Sequence, residues 1–315
     1  MATIADNEQS ARFLDRVAGL DKSQGNPRTK KIVRRIVSDL YRTIEELEIT
    51  EDEYWGAISL LTELGQAREV GLVSPGLGFD HFMDVLLDAA EKKAGIEGGT
   101  PRTIEGPLYV YGAPLAKGEA RLDDGTDKGE VLFMSGRVTD ADGKAIPGAI
   151  VDVWHANSLG NYSYFDKSQS EFNLRRRIET DDDGRYRFRS IMPAGYGVDL
   201  NGPTQTLLAQ LGRHGKRPAH IHFFVSAPGQ RHLTTQINIS DDPLVNDDFA
   251  FATRDGLIPR VVRRSDPEEI RKRGLDGPFA EIEFDFVMHK KVPNAPETEV
   301  HRERARIEKV LGVMP

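Results

Sequence analysis

The hydrophobic period of this 315-residue chain changes once, near Gly98, and that change limits the possible folds more than any composition figure does. From Thr29 to Ile49 the apolar residues Ile32, Val33, Ile36, Val37, Leu40, Tyr41, Ile44 and Leu47 fall at steps of three and four. That spacing draws one apolar stripe along a helix whose other face carries Lys30, Arg34, Arg35 and Glu45. Thr50 followed by Glu53 is a capping-box pattern, so a second helix is predicted to start there, with Tyr54, Ile58, Leu61 and Leu64 as its stripe. A third is predicted from about Phe79 to Lys93, with Phe82, Val85, Leu86 and Ala89 on its apolar side. The breaker-rich stretch Gly71-Leu-Val-Ser-Pro-Gly-Leu-Gly78 reads as the loop between them.

Past Gly98 the runs become short and alternating, separated by Gly/Asp turns such as Asp140-Ala-Asp-Gly143 and Asp181-Asp-Asp-Gly184. Strands are predicted at Val131–Val138, Ala149–Trp154, Arg185–Ile191, His220–Ser226, Thr234–Ile239 and Ala280–Met288. Many short strands with no long helix between them point to an antiparallel β-sandwich rather than a parallel βαβ sheet. Charged residues 264–275 and the tail after Pro296 read as surface segments with short helices. The expected division is a helical region, residues 1–100, followed by a β-sandwich, residues 101–315. The helical stripes then either pack on the sandwich or serve assembly.

Charge and cysteine content remove whole classes of chemistry. With 42 basic against 50 acidic residues the net charge is −8, which argues against nucleic acid as a partner, because phosphate binding needs a basic surface. The absence of cysteine excludes disulfides, thiolate zinc sites, iron–sulfur clusters and a Cys nucleophile. Phosphate-loop, nucleophile-elbow, dinucleotide-binding and His-Glu-x-x-His patterns are absent too. No apolar run is long enough to span a bilayer, and the first residues lack the basic start and apolar run of a secretory signal. A soluble, cytoplasmic protein without a membrane partner is expected, and the Asn-x-Ser sequons at Asn161 and Asn238 read as chance matches.

Any metal must then be held by His, carboxylate or phenolate. In Arg217-Pro-Ala-His-Ile-His-Phe-Phe-Val225 the two histidines stand two apart on a predicted strand, so His220 and His222 share a face. They are either ligands to one ion or a satisfied pair on a strand. With Asp241 or Asp242 they would make a facial triad for ferrous iron; with phenolates, a hard anionic set suited to Fe³⁺. Tyr196 lies between glycines in Ala194-Gly-Tyr-Gly197, and Tyr162 and Tyr164 follow Gly160.

The stretch from Gly136-Arg-Val through Gly143-Lys-Ala-Ile146 and Val151-Asp152-Val153 to Gly160-Asn-Tyr162 resembles the signature of the intradiol ring-cleavage dioxygenases. The resemblance runs on through Asn161–Arg177, Pro203–Gln205, Leu211–Gly215, Arg217–Val225, Arg231–Asn238 and Asp247–Leu257. Pro101–Tyr109 and the helical region resemble the catechol 1,2-dioxygenase branch, so essentially the whole chain is covered.

By that resemblance the chain holds non-haem Fe³⁺ through Tyr162, Tyr196, His220 and His222, and cleaves catechol with O₂ to cis,cis-muconate. Tyr162 rather than Tyr164 ends the signature. The resemblance also implies that Tyr196 leaves the metal to act as an internal base. Arg217, three residues before His220, is placed to stabilise negative charge on the ring. Gln236, on the next strand, either helps hold that arginine or the substrate, or satisfies backbone groups. The implied substrate pocket is apolar: Leu72, Pro75, Ile104, Gly106, Pro107, Leu108, Phe249 and Ala250. With no added cation for a ring carboxylate, it favours catechol over protocatechuate; chlorocatechol and hydroxyquinol are the nearest rival substrates. A non-catalytic β-sandwich binding module is the rival of another class. The family branch further implies a homodimer through the N-terminal helices and a lipid-like molecule at their interface.

Overall fold

A computed structural model describes residues 3–291 and the backbone of residues 305–306. Contacts divide the chain into two compact units, Met1–Ala67 and Arg68–Pro315. The expected helices of the tail after Pro296 lie outside the described residues.

The first unit holds the helices Glu8–Val17, Pro27–Glu46 and Glu51–Gln66. Each starts where a side-chain oxygen caps free N–H groups: Asn7 accepts from Ser10, and Asn26 accepts from Arg28 and Thr29 ahead of the first-turn Pro27. Thr50 and Glu53 form the full capping box. The short helix Glu8–Val17 is an addition to the expected elements; it buries Leu14 and pairs Asp15 with Arg34, while Asp6, just ahead of it, pairs with Arg42. Among the described residues the apolar stripe on Pro27–Glu46 stays open, since Ile36 and Leu40 are each 54% exposed.

The second unit begins with the helices Val70–Gly76 and Phe79–Lys93. The first of these replaces the loop expected at Gly71–Gly78. Packing overrides propensity here: Pro75 and Gly76 are buried, and a Cβ on Gly76 would already touch Leu208 and Phe249 at 3.7–3.8 Å. A further unforeseen short helix, Pro203–Gln210, supplies Leu208.

Two sheets face each other across the core. One runs, in order, Leu233–Asn238, His220–Ser226, Ile150–His155, Arg175–Glu179 and Leu115–Lys117. The other runs Val262–Arg264, Phe279–Glu283, Val131–Asp140, Arg185–Ile191 and Glu119–Arg121, with Phe286–Met288 also paired to Val131–Asp140. The sandwich is mixed rather than wholly antiparallel, for two reasons. Gly118, at φ +66°, lets the chain step from the edge of one sheet to the edge of the other, and both short strands pair parallel. The strand expected over Ala280–Met288 breaks at Phe284–Asp285, and both halves run parallel to Val131–Asp140. Gly136 makes room for that break, because a Cβ there would lie 1.7 Å from the Phe284 carbonyl oxygen. The charged segment forms one short surface helix, Pro267–Lys272, capped by Asp266.

Leu132, Met134, Phe188 and Ile282 meet Val151, Val153, Ile221, Phe223 and Val225 in the core. Because Ile221, Phe223 and Val225 point inward, strand alternation sends His220, His222 and Phe224 to the opposite face of their sheet. That face is covered in turn, by a cluster that contains Tyr109, Trp154, Tyr162 and Phe224.

Candidate active site

Register fixes the floor of the site. His222 lies directly across from Trp154 on one side and Gln236 on the other, and His220 lies across from Asn238. Trp154 stacks on the His222 ring, with centroids 5.0 Å apart and planes 6° from parallel. The two tyrosines arrive on loops. Asn157 accepts the N–H groups of Leu159 and Asn161 at 3.0 and 2.9 Å and so shapes the turn that delivers Tyr162. Tyr196 stands on the two-residue strand Tyr196–Gly197, paired to Lys216–Arg217, which brings it beside Arg217. Gly160 and Gly195 let the two loops touch: a Cβ on Gly160 would come within 2.9 Å of the Gly195 carbonyl oxygen.

Four potential donors converge on one point. From His220 Nε2 the distances are 3.1 Å to His222 Nε2, 3.4 Å to the Tyr196 hydroxyl and 3.5 Å to the Tyr162 hydroxyl. Ligands bound at about 2.0–2.1 Å with bond angles of 90–120° stand about 2.9–3.6 Å apart, so this spacing suits a shared ion. Tyr164 is elsewhere, in left-handed backbone with its ring against Phe165 and Lys167. Asp241 pairs with Arg263, and Asp242 accepts from the backbone of Ala219 and Leu244, so neither completes a facial triad. Asp152 accepts the Tyr109 hydroxyl at 2.7 Å. Among the described residues there is no group of three or more His, Asp and Glu suited to a metal, so a four-donor site here needs the phenols.

The two imidazoles present the neutral form that a cation at this point requires. His220 Nδ1 faces the Pro218 carbonyl at 2.7 Å, which fixes the N–H there and turns the Nε2 lone pair to the site. Burial first, then Arg217, lowers His220 to about 3. Burial and then His220 hold His222 well below the ordinary histidine range, so both rings are neutral, the ligand form. Burial first, then Tyr196, pushes the Tyr162 phenol well above its ordinary range. Holding it as phenolate therefore needs a strong positive charge at the donors, and two phenolates favour a hard trivalent ion.

Arg217 reaches the same point, its Nη1 3.0 Å from His220 Nε2. Burial opposes its charge, but the Asp248 carboxylate, together with the Tyr196 and Tyr162 oxygens, outweighs burial and holds Arg217 above its ordinary value. Burial likewise opposes the Asp248 charge, and Arg217 outweighs it, leaving that carboxyl lowered. Gln236 Oε1 accepts from Arg217 Nη2 at 2.8 Å.

A cavity of about 610 Å³ opens beside the donors. Leu72, Pro75, Ile104, Gly106, Pro107, Leu108, Phe249 and Ala250 line it, together with Tyr196 and Arg217. Gly106, at φ +72°, carries the loop over His222; a Cβ there would sit 3.5 Å from the ring. Sequence reasoning missed Ser74, Asp80, Glu105 and Tyr109 in the lining, and missed Asp248 behind Arg217. Asp248 lies 31 residues from Arg217 in a loop, and no local pattern marks such a pair.

Residues 104–290 match the family model described as dioxygenase, and residues 26–95 match that of the catechol dioxygenase N terminus. The catechol 1,2-dioxygenase of Acinetobacter baylyi is 54% identical over 307 residues, 96% of this chain and 99% of that protein. Catechol 1,2-dioxygenase 2 of Acinetobacter lwoffii is 65% identical over 76% of this chain and 87% of its own length. The crystal structure of catechol 1,2-dioxygenase from Pseudomonas arvilla C-1 superposes with a TM-score of 0.90 at 57% identity, covering 96% of this chain and 99% of that one. The chain belongs to the intradiol ring-cleavage dioxygenases and, within them, to the catechol 1,2-dioxygenase branch.

Proposed function

We propose that the chain cleaves catechol with O₂ to cis,cis-muconate on a non-haem ferric ion held by Tyr162, Tyr196, His220 and His222. The observation that carries this reading is the convergence of two imidazoles and two phenols beside a largely apolar cavity. Held by these four side chains, ferric iron would supply Lewis acidity toward the catechol oxygens. The rest is done by the chain. Tyr196 lines the cavity, so its phenolic oxygen is placed to take a catechol proton. Arg217 Nη1 faces the same space and stabilises negative charge on the ring, and Gln236 holds the other edge of that guanidinium.

The cavity suits a small neutral ring. Arg217 is the one cation among its described lining residues, and Asp248 neutralises it; Asp80 and Glu105 add acidic groups. A ring carboxylate buried there without a partner costs several kcal/mol, so kcat/KM for protocatechuate should fall more than about 100-fold below that for catechol. A panel of catechol, 4-methylcatechol, 4-chlorocatechol, hydroxyquinol and protocatechuate tests this. A first place for 4-chlorocatechol or hydroxyquinol assigns the rival substrate, and a first place for protocatechuate refutes the cavity argument. Iron-loaded protein should also be wine-red from phenolate-to-iron charge transfer, with the band shifting on anaerobic addition of catechol. A colourless protein that contains iron rules out the phenolate site.

Assembly as a homodimer through the N-terminal helices accounts for the open stripe, since Ile36, Leu40 and Leu47 are more than half exposed. Sedimentation should give twice the chain mass, and Ile36→Glu with Leu40→Glu should give the monomer; an unchanged dimer in that variant would place the interface elsewhere. A filled apolar seam suffices for such an interface, and a bound lipid is not needed to cover it. Among the described residues no helix is long and apolar enough to cross a membrane, and catalysis in the cytoplasm is the setting assumed for this chemistry.

A further inference from the structure

Every edge of the Arg217 guanidinium is engaged, although the residue is 4% exposed. Its Nε lies 3.1 and 3.3 Å from the two Asp248 oxygens, and Nη2 lies 3.0 Å from Asp248 and 2.8 Å from Gln236 Oε1. Gln236 Nε2 donates onward to Asn238 Oδ1 at 2.7 Å, and Asn238 Nδ2 donates to Thr253 Oγ1 at 2.6 Å. Only Nη1 is turned the other way, to His220 and the donors. Asp248 Oδ1 also accepts the Ala250 N–H at 3.0 Å, and Phe249 and Ala250 form part of the cavity wall.

We propose that Asp248 is a positioning residue for ring cleavage: its carboxylate aims Arg217 Nη1 at the reacting ring and keys the Phe249–Ala250 wall to the same frame. This rests on the reading of the site as an intradiol dioxygenase centre. A carboxylate matches two guanidinium N–H groups in one plane, so it fixes the rotation of the fork as a neutral acceptor cannot. A flexible four-torsion side chain then meets the developing charge without reorganising, and misplacement by about 1 Å costs about 100-fold in rate.

Two variants of the iron-loaded full chain test the proposal. Asp248→Asn keeps the shape and loses one acceptor and the charge; Asp248→Glu keeps the charge pair, and with it the fold, but displaces the fork. Iron content, the anaerobic Kd for catechol read from the charge-transfer band, and the single-turnover rate with O₂ per coloured site are to be compared with the parent. Both variants should hold iron and bind catechol within about threefold of the parent, while the rate per site falls about 30–100-fold in Asp248→Asn and at least about tenfold in Asp248→Glu. A merely structural role lowers the number of coloured sites and leaves the rate per site unchanged, and that result overturns the proposal. A Kd that rises as much as the rate falls also overturns it, because Asp248 then seats the substrate rather than orienting Arg217. A parent that turns over no catechol defeats the functional reading instead.

Discussion

Replacing His220 with alanine should leave a folded, colourless chain that retains no iron after dialysis and turns over no catechol. His220 Nε2 is the hub of the site, within 3.5 Å of His222, Tyr162, Tyr196 and Arg217. Loss of a partner behind a ligand typically costs about 10–100-fold in metal affinity or activity, and removing a ligand itself exceeds that. The loss also acts through the phenols. Burial holds Tyr162 protonated unless a cation sits among the donors, so weaker metal binding and loss of the phenolate reinforce each other. Tyr162→Phe should behave alike, whereas Tyr164→Phe, outside the donor set, should keep both iron and colour. Metal analysis, the visible spectrum and far-UV circular dichroism check this set. A stoichiometric, wine-red His220→Ala protein would falsify the four-donor site.

Much of the local structure was legible because its causes are local. The helix Phe79–Lys93, the capping box at Thr50 and the strands Arg185–Ile191 and His220–Ser226 each follow from period and cap chemistry within a few residues. Strand alternation alone put His220 and His222 on one face. What stayed hidden depends on distant packing. Val70–Gly76 is helical because Leu208 and Phe249 hold it, and the mixed pairing depends on sheet switching at Gly118 and on the space above Gly136. Tyr162 and Tyr164 are equivalent by spacing; in the fold Tyr162 reaches His220, while Tyr164, in left-handed backbone, packs on Phe165. The period of Pro27–Glu46 marked its apolar face correctly and left open what covers it.

Arg217→Ala should keep iron and colour and lose about 10²–10³-fold in turnover, the usual effect of removing one preorganised charge-stabilising donor. None of the four donors is deleted, so iron analysis separates this loss from that of His220→Ala; loss of the metal here would refute the assigned role. The stability of the variant carries a second signature. In the parent, Arg217 outweighs burial and holds the Asp248 carboxyl below its unfolded value of 3.8, so this pair stabilises above that pH and loses its contribution as pH falls through the lowered value. Without Arg217 burial is opposed only by the Ala250 N–H bond and His220, so the Asp248 carboxyl is expected to rise. The folded state then binds a proton that the unfolded state does not, and stability relative to the parent must fall as pH rises through the raised value. Leaving one member of a buried pair behind costs about 3–5 kcal/mol. The double variant Arg217→Ala/Asp248→Asn removes the stranded charge, so it should recover much of that stability, lose the added pH dependence and remain as inactive as Arg217→Ala. Chemical denaturation of parent, single and double variants at pH 5.5 and 8 measures both effects. Equal pH dependence in the parent and in Arg217→Ala would mean that Asp248 is not held ionised by Arg217.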